Sequence, residues 1–239
     1  MKLDVLAIGA HPDDIELTCS GTIIQMVKHG RAVGILDLTQ GELGTRGNKD
    51  IRSKEAAKAA TVMGVAVREN LKIPDGNIEN HMHNRLKLVK VLRTYRPDVL
   101  LFPYPVDRHP DHEHAHALCR EAWFAAGLEK AVTTADGKDQ TPFRPRAYYH
   151  YMQWHEFTPS FIVDVTNEYE QRVETMRAYR SQFYDPSNTE RETVLTTPEF
   201  LEMVRTRLEY YGDRIGVKYA EPFFSPAPIR VNDIVSLNL

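Results

Sequence analysis

Leu3-Asp4-Val5-Leu6-Ala7-Ile8-Gly9-Ala10-His11-Pro12-Asp13-Asp14-Ile15-Glu16 opens this 239-residue chain. Leu3 to Ile8 is a short apolar run that stops at Gly9-Ala10 and reads as a buried strand. An imidazole and three carboxylates follow at once, so the polar cluster sits where the strand ends. One histidine with carboxylates can hold a borderline cation such as zinc through nitrogen and oxygen. An adjacent acid is then free to handle a proton. Pro12 fixes its own φ and drives His11 towards an extended conformation, which suits a turn that aims side chains. The plainer alternative is a surface turn, with an Asp capping a helix and Glu16 in its first turn.

Working outward, strand-like and helix-like segments alternate. Gly21 to His29 puts Ile23, Ile24 and Val27 on one helical face, and Ala32 to Thr39 is a second strand. A glycine-rich loop, Gln40 to Gly47, leads to a helix over Ile51 to Met63, rich in Ala, Lys and Glu. Leu71 to Ile73 reads as a short strand ended by Pro74-Asp75-Gly76, His83 to Tyr95 as a helix, and Val99 to Phe102 as a strand buried on both sides. The repetition predicts an α/β, Rossmann-like fold: a mostly parallel sheet with helices on both faces. In such sheets ligands bind at the carboxyl ends of the strands. Beyond it, Thr133 to Pro145 reads as an exposed connection. Ala147 to Met152 and Phe161 to Val165 read as strands, and Glu168 to Phe183 and Pro198 to Tyr211 as helices. We expect a single domain over residues 1–239.

A second polar cluster, Asp107-Arg108-His109-Pro110-Asp111-His112-Glu113-His114-Ala115-His116, follows the Val99–Phe102 strand. With a helix starting near Pro110, His112 and His116 share a face, and His109 precedes the first turn. Together the clusters can supply two imidazoles and one carboxylate from separate strand ends, the ligand set of a catalytic zinc site. A metal there would lower the pKa of water, leaving the remaining Asp and His as base and as acid or oxyanion stabiliser. The reaction class is metal-assisted hydrolysis.

Composition narrows the field. Charged residues make up 26% and hydrophobic residues 42%, as in an ordinary globular protein. Thirty Lys and Arg against 33 Asp and Glu leave a net charge of −3, which offers no basic footprint for nucleic acid or an anionic membrane. No apolar run is long enough to span a bilayer, and the first residues lack the look of a signal peptide. With only Cys19 and Cys119, both read as core, a cytoplasmic location is expected. The glycines lack a dinucleotide or P-loop spacing, which argues against a nucleotide-dependent enzyme.

Ala10-His11-Pro12-Asp13-Asp14-Ile15-Glu16 paired with Arg108-His109-Pro110-Asp111-His112 resembles the LmbE/PIG-L family of zinc-dependent N-deacetylases. Gly44-Thr45-Arg46-Gly47, Arg52-Ser53-Lys54-Glu55-Ala56 and Tyr179-Arg180-Ser181-Gln182-Phe183 extend the likeness. The resemblance implies hydrolysis of an N-acetyl group from a GlcNAc conjugate and one divalent ion per chain, zinc or ferrous iron. It implies His11, Asp14 and His112 as metal ligands and Asp13 as general base. His109 would stabilise the oxyanion or protonate the amine, with Asp111 orienting its ring. The sequence is most similar to the bacillithiol-pathway branch, which deacetylates N-acetylglucosaminyl malate. There Arg52 and Arg108 would pair with the malate carboxylates. The resemblance also implies a small-molecule amino-sugar partner and a homo-oligomer, trimeric or hexameric. Deacetylation of another N-acyl amino sugar, or a metal- and sugar-binding module without turnover, stands as the alternative.

Overall fold

A computed structural model describes residues 1–233. The elements are β1 (Val5–Gly9), α1 (Asp14–Thr18), α2 (Ser20–Lys28), β2 (Val33–Asp37), α3 (Lys49–Met63), β3 (Val67–Asn70), α4 (Met82–Tyr95), β4 (Val99–Pro103) and α5 (Pro110–Ala126). The two-residue strands β5 (Thr134–Ala135) and β6 (Lys138–Asp139) come next, then β7 (Ala147–Tyr151), β8 (Phe161–Asp164), α6 (Tyr169–Arg177), α7 (Pro198–Asp213) and β9 (Ala220–Phe224). Seven strands form one sheet in the order β3-β2-β1-β4-β7-β9-β8. The first five run parallel, and β9 is antiparallel to both β7 and β8.

The period of two along the strands divides the core. Val5 and Ala7 of β1, Ile35 of β2 and Leu101 of β4 face α1, α2, α3, α6 and α7. Leu6, Ile8, Leu36, Leu100 and Phe102 face α4 and α5. Both faces are therefore covered by helices, as the alternating pattern predicts. Cys19 and Cys119 are free and fully buried, one in each core. Strand order reverses at β1, with β2 on one side and β4 on the other, so a crevice opens beyond their carboxyl ends.

The third strand lies earlier than its hydrophobicity suggests, at Val67–Asn70 rather than Leu71–Ile73. It carries Arg68, whose buried guanidinium pairs with Glu16 and Asp37, so the strand does not look apolar. The helix expected to reach Phe183 ends at Arg177. Within the connection 133–145 lies a two-stranded hairpin. No helix among the described residues is long and apolar enough to cross a membrane.

Candidate active site

Five loops at the carboxyl ends of the parallel strands converge on a cavity of about 500 Å³. The loop after β1 delivers His11, Asp13 and Asp14, all buried, which excludes the surface-turn reading. Asp13 holds a left-handed backbone, φ 123°, ψ −22°, at the N-cap of α1. Such a conformation is costly for a residue with a Cβ and persists only where surrounding contacts impose it. Here they do. Arg52 reaches from α3 to place Nη2 2.8 Å from Asp13 Oδ2, and it also donates to the Pro12 carbonyl. Its Nη1 donates to the Gly41 carbonyl at 3.3 Å.

His11, Asp14 and His112 come together with one ligand atom of each within 4.8 Å of the others. Each imidazole is backed by carboxylate on its far side. Asp107 Oδ1 lies 2.8 Å from His112 Nδ1, leaving Nε2 3.2 Å from Asp14 Oδ1. His11 Nε2 lies 3.0 Å from Asp75 Oδ1 and 3.2 Å from Asp111 Oδ2, leaving Nδ1 3.8 Å from Asp14 Oδ2. Carboxylate-backed imidazoles aimed at a shared carboxylate are the arrangement that orients metal-ligating histidines. A second grouping, His11 with His109 and Asp111, satisfies the same spacing.

The electrostatics also suit a cation. Burial works against charging His11, yet the hydrogen bonds to Asp111 and Asp75 and the charge of Asp14 prevail and raise its pKa to about 10. Burial is likewise outweighed at His112, where Asp14 and Asp107 raise the pKa to about 9. Asp14 is held below the ordinary carboxylate range, since His112 and His11 overcome its burial. A divalent cation would replace those two protons among four carboxylates, so the donor set fits one. Asp13 behaves oppositely: burial, opposed by Arg52 and reinforced by Asp14, raises it to about 7.

His109 caps α5, its Nδ1 accepting from the Asp111 backbone N–H at 3.2 Å. That acceptor role leaves the ring proton on Nε2. Burial and the nearby His11 and His112 charges lower its pKa, so the neutral ring presents a donor. Asp111 thus acts on His109 through its backbone N–H, while its carboxylate goes to His11 and to the Gly76 N–H. Arg108 is stacked over Trp154, its guanidinium carbon 4.0 Å from the ring centroid. His116 does not share the site. Its Nδ1 lies 3.0 Å from the Pro103 carbonyl oxygen, and its ring packs beside His150.

Three site residues escape the sequence reading. Asp75 looks like part of a Pro-Asp-Gly turn, and Asp107 stands there only as a flank of the second cluster. Gln153 carries no signal in sequence, yet its Nε2 lies 3.1 Å from Asp14 Oδ1 and 3.2 Å from His112 Nε2. The first two back the histidines, a role visible only once the loops after β3 and β4 are brought together.

The family model described as GlcNAc-PI de-N-acetylase (PIG-L) matches residues 6–123. A diacetylchitobiose deacetylase of Thermococcus kodakarensis is 30% identical over 91% of this chain and 80% of its own length. A probable N-acetyl-alpha-D-glucosaminyl L-malate deacetylase 2 of Bacillus anthracis is 26% identical, over 75% of this chain and 81% of its own. Among solved structures, a conserved protein of Thermus thermophilus superposes with a TM-score of 0.86 at 39% identity, covering 97% of this chain and 98% of that one.

Proposed function

The chain belongs to the LmbE/PIG-L family of de-N-acetylases, and from that premise we propose that it hydrolyses the N-acetyl group of a GlcNAc unit in a short saccharide. The observation that carries the reading is the juxtaposition of His11, Asp14 and His112 with Asp13 at the ends of β1 and β4. His11, Asp14 and His112 would hold a divalent cation, zinc in the first instance, which when bound acidifies water and polarises the amide carbonyl. Asp13, with a pKa near 7, accepts the proton of the attacking water. Arg52 keeps that carboxylate in place. His109 offers its Nε2 proton to the developing oxyanion or to the departing amine.

N,N'-diacetylchitobiose is the first substrate to try, because the relative of that name matches at 30% and the malate deacetylase at 26%. The malate reading has one observation in its favour. Arg108 lies at the cavity with its guanidinium against Trp154 and, among the described residues, with no carboxylate paired to it, whereas Arg52 is engaged by Asp13. The test is acetate release from diacetylchitobiose and from GlcNAc-malate by the zinc-loaded protein. Turnover of the first by at least tenfold in kcat/KM over the second supports the saccharide reading. The reverse ratio selects malate, and no release from either sinks the deacetylase proposal.

A further inference from the structure

One wall of the cavity is apolar, and removal of an acetyl group makes no use of it. Helix α7 lines the cavity with Phe200, Met203, Val204, Arg207 and Leu208, the i, i+3, i+4, i+7, i+8 stripe of a single helical face. Leu17 of α1 and Leu195 continue that surface. The cations within it are neutralised or turned aside. Arg172 pairs with Glu221 at 3.0 Å, and Arg207 donates to the backbone carbonyls of Gln153 and Trp154. Met203, at 38% exposure, borders the open space, while Phe200, Val204 and Leu208 line the wall from the edge of the packed core.

The wall begins at the reacting end. Leu17 and Thr18 lie one helical turn along α1 from Asp13 and Asp14, and both line the cavity. Gln153, whose carbonyl Arg207 holds, places its amide nitrogen at Asp14 and His112. The scissile carbonyl must sit there. A sugar set against the polar side, lined by Thr45, Arg108 and His109, would leave the apolar arm to the acyl group. An acetyl group contributes three heavy atoms to a cavity of about 500 Å³.

We propose that the arm walled by α7 and Leu17 receives an N-acyl chain longer than acetyl, making medium-chain N-acyl-glucosamines substrates of this site. The inference rests on the amidohydrolase reading above and names its acyl specificity. The reaction is the same hydrolysis. Water oxygen bonds to the acyl carbon, the C–N bond breaks, the amine leaves with a proton, and a fatty acid is released and ionises.

The experiment compares kcat/KM of the metal-loaded protein for N-acetyl-, N-butanoyl- and N-octanoyl-glucosamine, read as free amine, with octyl N-acetyl-glucosaminide as the control that carries its chain on the aglycone. Calorimetry gives Kd for each. Each methylene fully buried is worth about fourfold, so the octanoyl amide should exceed the acetyl amide at least tenfold in kcat/KM, with a matching fall in Kd. Met203→Trp, or Met203→Asp if the first is insoluble, should shrink the octanoyl-to-acetyl ratio towards one. Acetyl turnover with no gain for longer acyl groups overturns this proposal and leaves deacetylation standing. A gain for the octyl glycoside alone also overturns it, by assigning the arm to the aglycone. Absence of cleavage of every amide overturns both readings.

Discussion

His11 and His112, gathered at the ends of β1 and β4, and His150 of β7 are treated in opposite ways. In the half built from β1 to β4, carboxylates surround His11 and His112 and hold them charged, with pKa values raised to about 10 and 9 despite burial. In the half built from β7 to β9, burial among Phe102, Tyr104, Tyr148 and Phe224, with the His116 charge adding to it, lowers His150 to about 4. The contrast separates tasks. The first half gathers charge where a cation and a proton acceptor can use it. The second half excludes charge and supplies walls. The family model matches residues 6–123, which is the first of these halves.

Substitutions in the first half should therefore strike chemistry with little loss of fold. Asp13→Asn is the strongest case: kcat should fall about 10²–10⁴-fold, the usual worth of a positioned general base. Metal content by elemental analysis should stay at the wild-type level. If kcat survives, the base lies elsewhere and the assignment of Asp13 falls.

In the second half the large effects should be on stability. Glu221 accepts from Arg172 Nε, the Gly21 and Thr22 N–H groups and Thr22 Oγ1, tying β9 to the start of α2. Glu221→Leu would strand a buried guanidinium at a cost of about 3–5 kcal/mol. Thermal melting should fall by about 6–20 °C on the usual scaling for a chain of this size. An unchanged melting temperature would dissolve the division of labour.

A smaller effect belongs to His150. Its folded-state pKa lies below the ordinary 6.5, so its contribution is complete above pH 6.5 and is lost as pH falls towards 4. The gap is worth about 3 kcal/mol in full, of which about 2 kcal/mol is gone by pH 5. Denaturant midpoints at pH 7 and pH 5 should converge in His150→Phe relative to wild type. Should the variant lose as much stability as the parent over that interval, the aromatic half does not hold its histidine neutral.

The smallest effect tests the boundary between the halves, where Arg108 stacks on Trp154. Arg108→Ala should change kcat/KM for diacetylchitobiose by less than about fivefold, since a partly exposed cation–π pair is worth about 0.5–1 kcal/mol. A loss confined to GlcNAc-malate would move the substrate assignment to the acidic conjugate.

The same division governs what can be read from sequence. Strands β1 and β4 are apolar along both faces because both are covered, and their polar clusters begin where the apolar runs end. Periodicity and composition suffice there. Strand β3 falls outside its expected place because its inward residue is Arg68, which is buried only by virtue of Glu16 and Asp37 from other elements. Strand β9 is hidden for a like reason, since Ala220-Glu221-Pro222-Phe223-Phe224 contains a buried acid and a proline. Of the site, the two histidine clusters stand out locally. Asp75, Asp107 and Gln153 gain meaning only from partners between 5 and 139 positions away. The engagement of Arg52 by Asp13, 39 residues earlier in the chain, is equally hidden, and it removes one of the two arginines expected at a malate group.

Gly41 takes part in none of this chemistry, yet it sets a condition for it. With φ at +65°, it is the place where a Cβ would come within 2.2 Å of Arg52 Nη1. The guanidinium can lie against Asp13 only because residue 41 carries no side chain. A single methyl group at Gly41 would push the arginine aside with every charged residue still present, and Asp13 would lose the contact that keeps its backbone strained. The proposed proton acceptor, Asp13, is thus governed by an empty volume on a neighbouring loop, and that one substitution would disarm it with every charged motif intact.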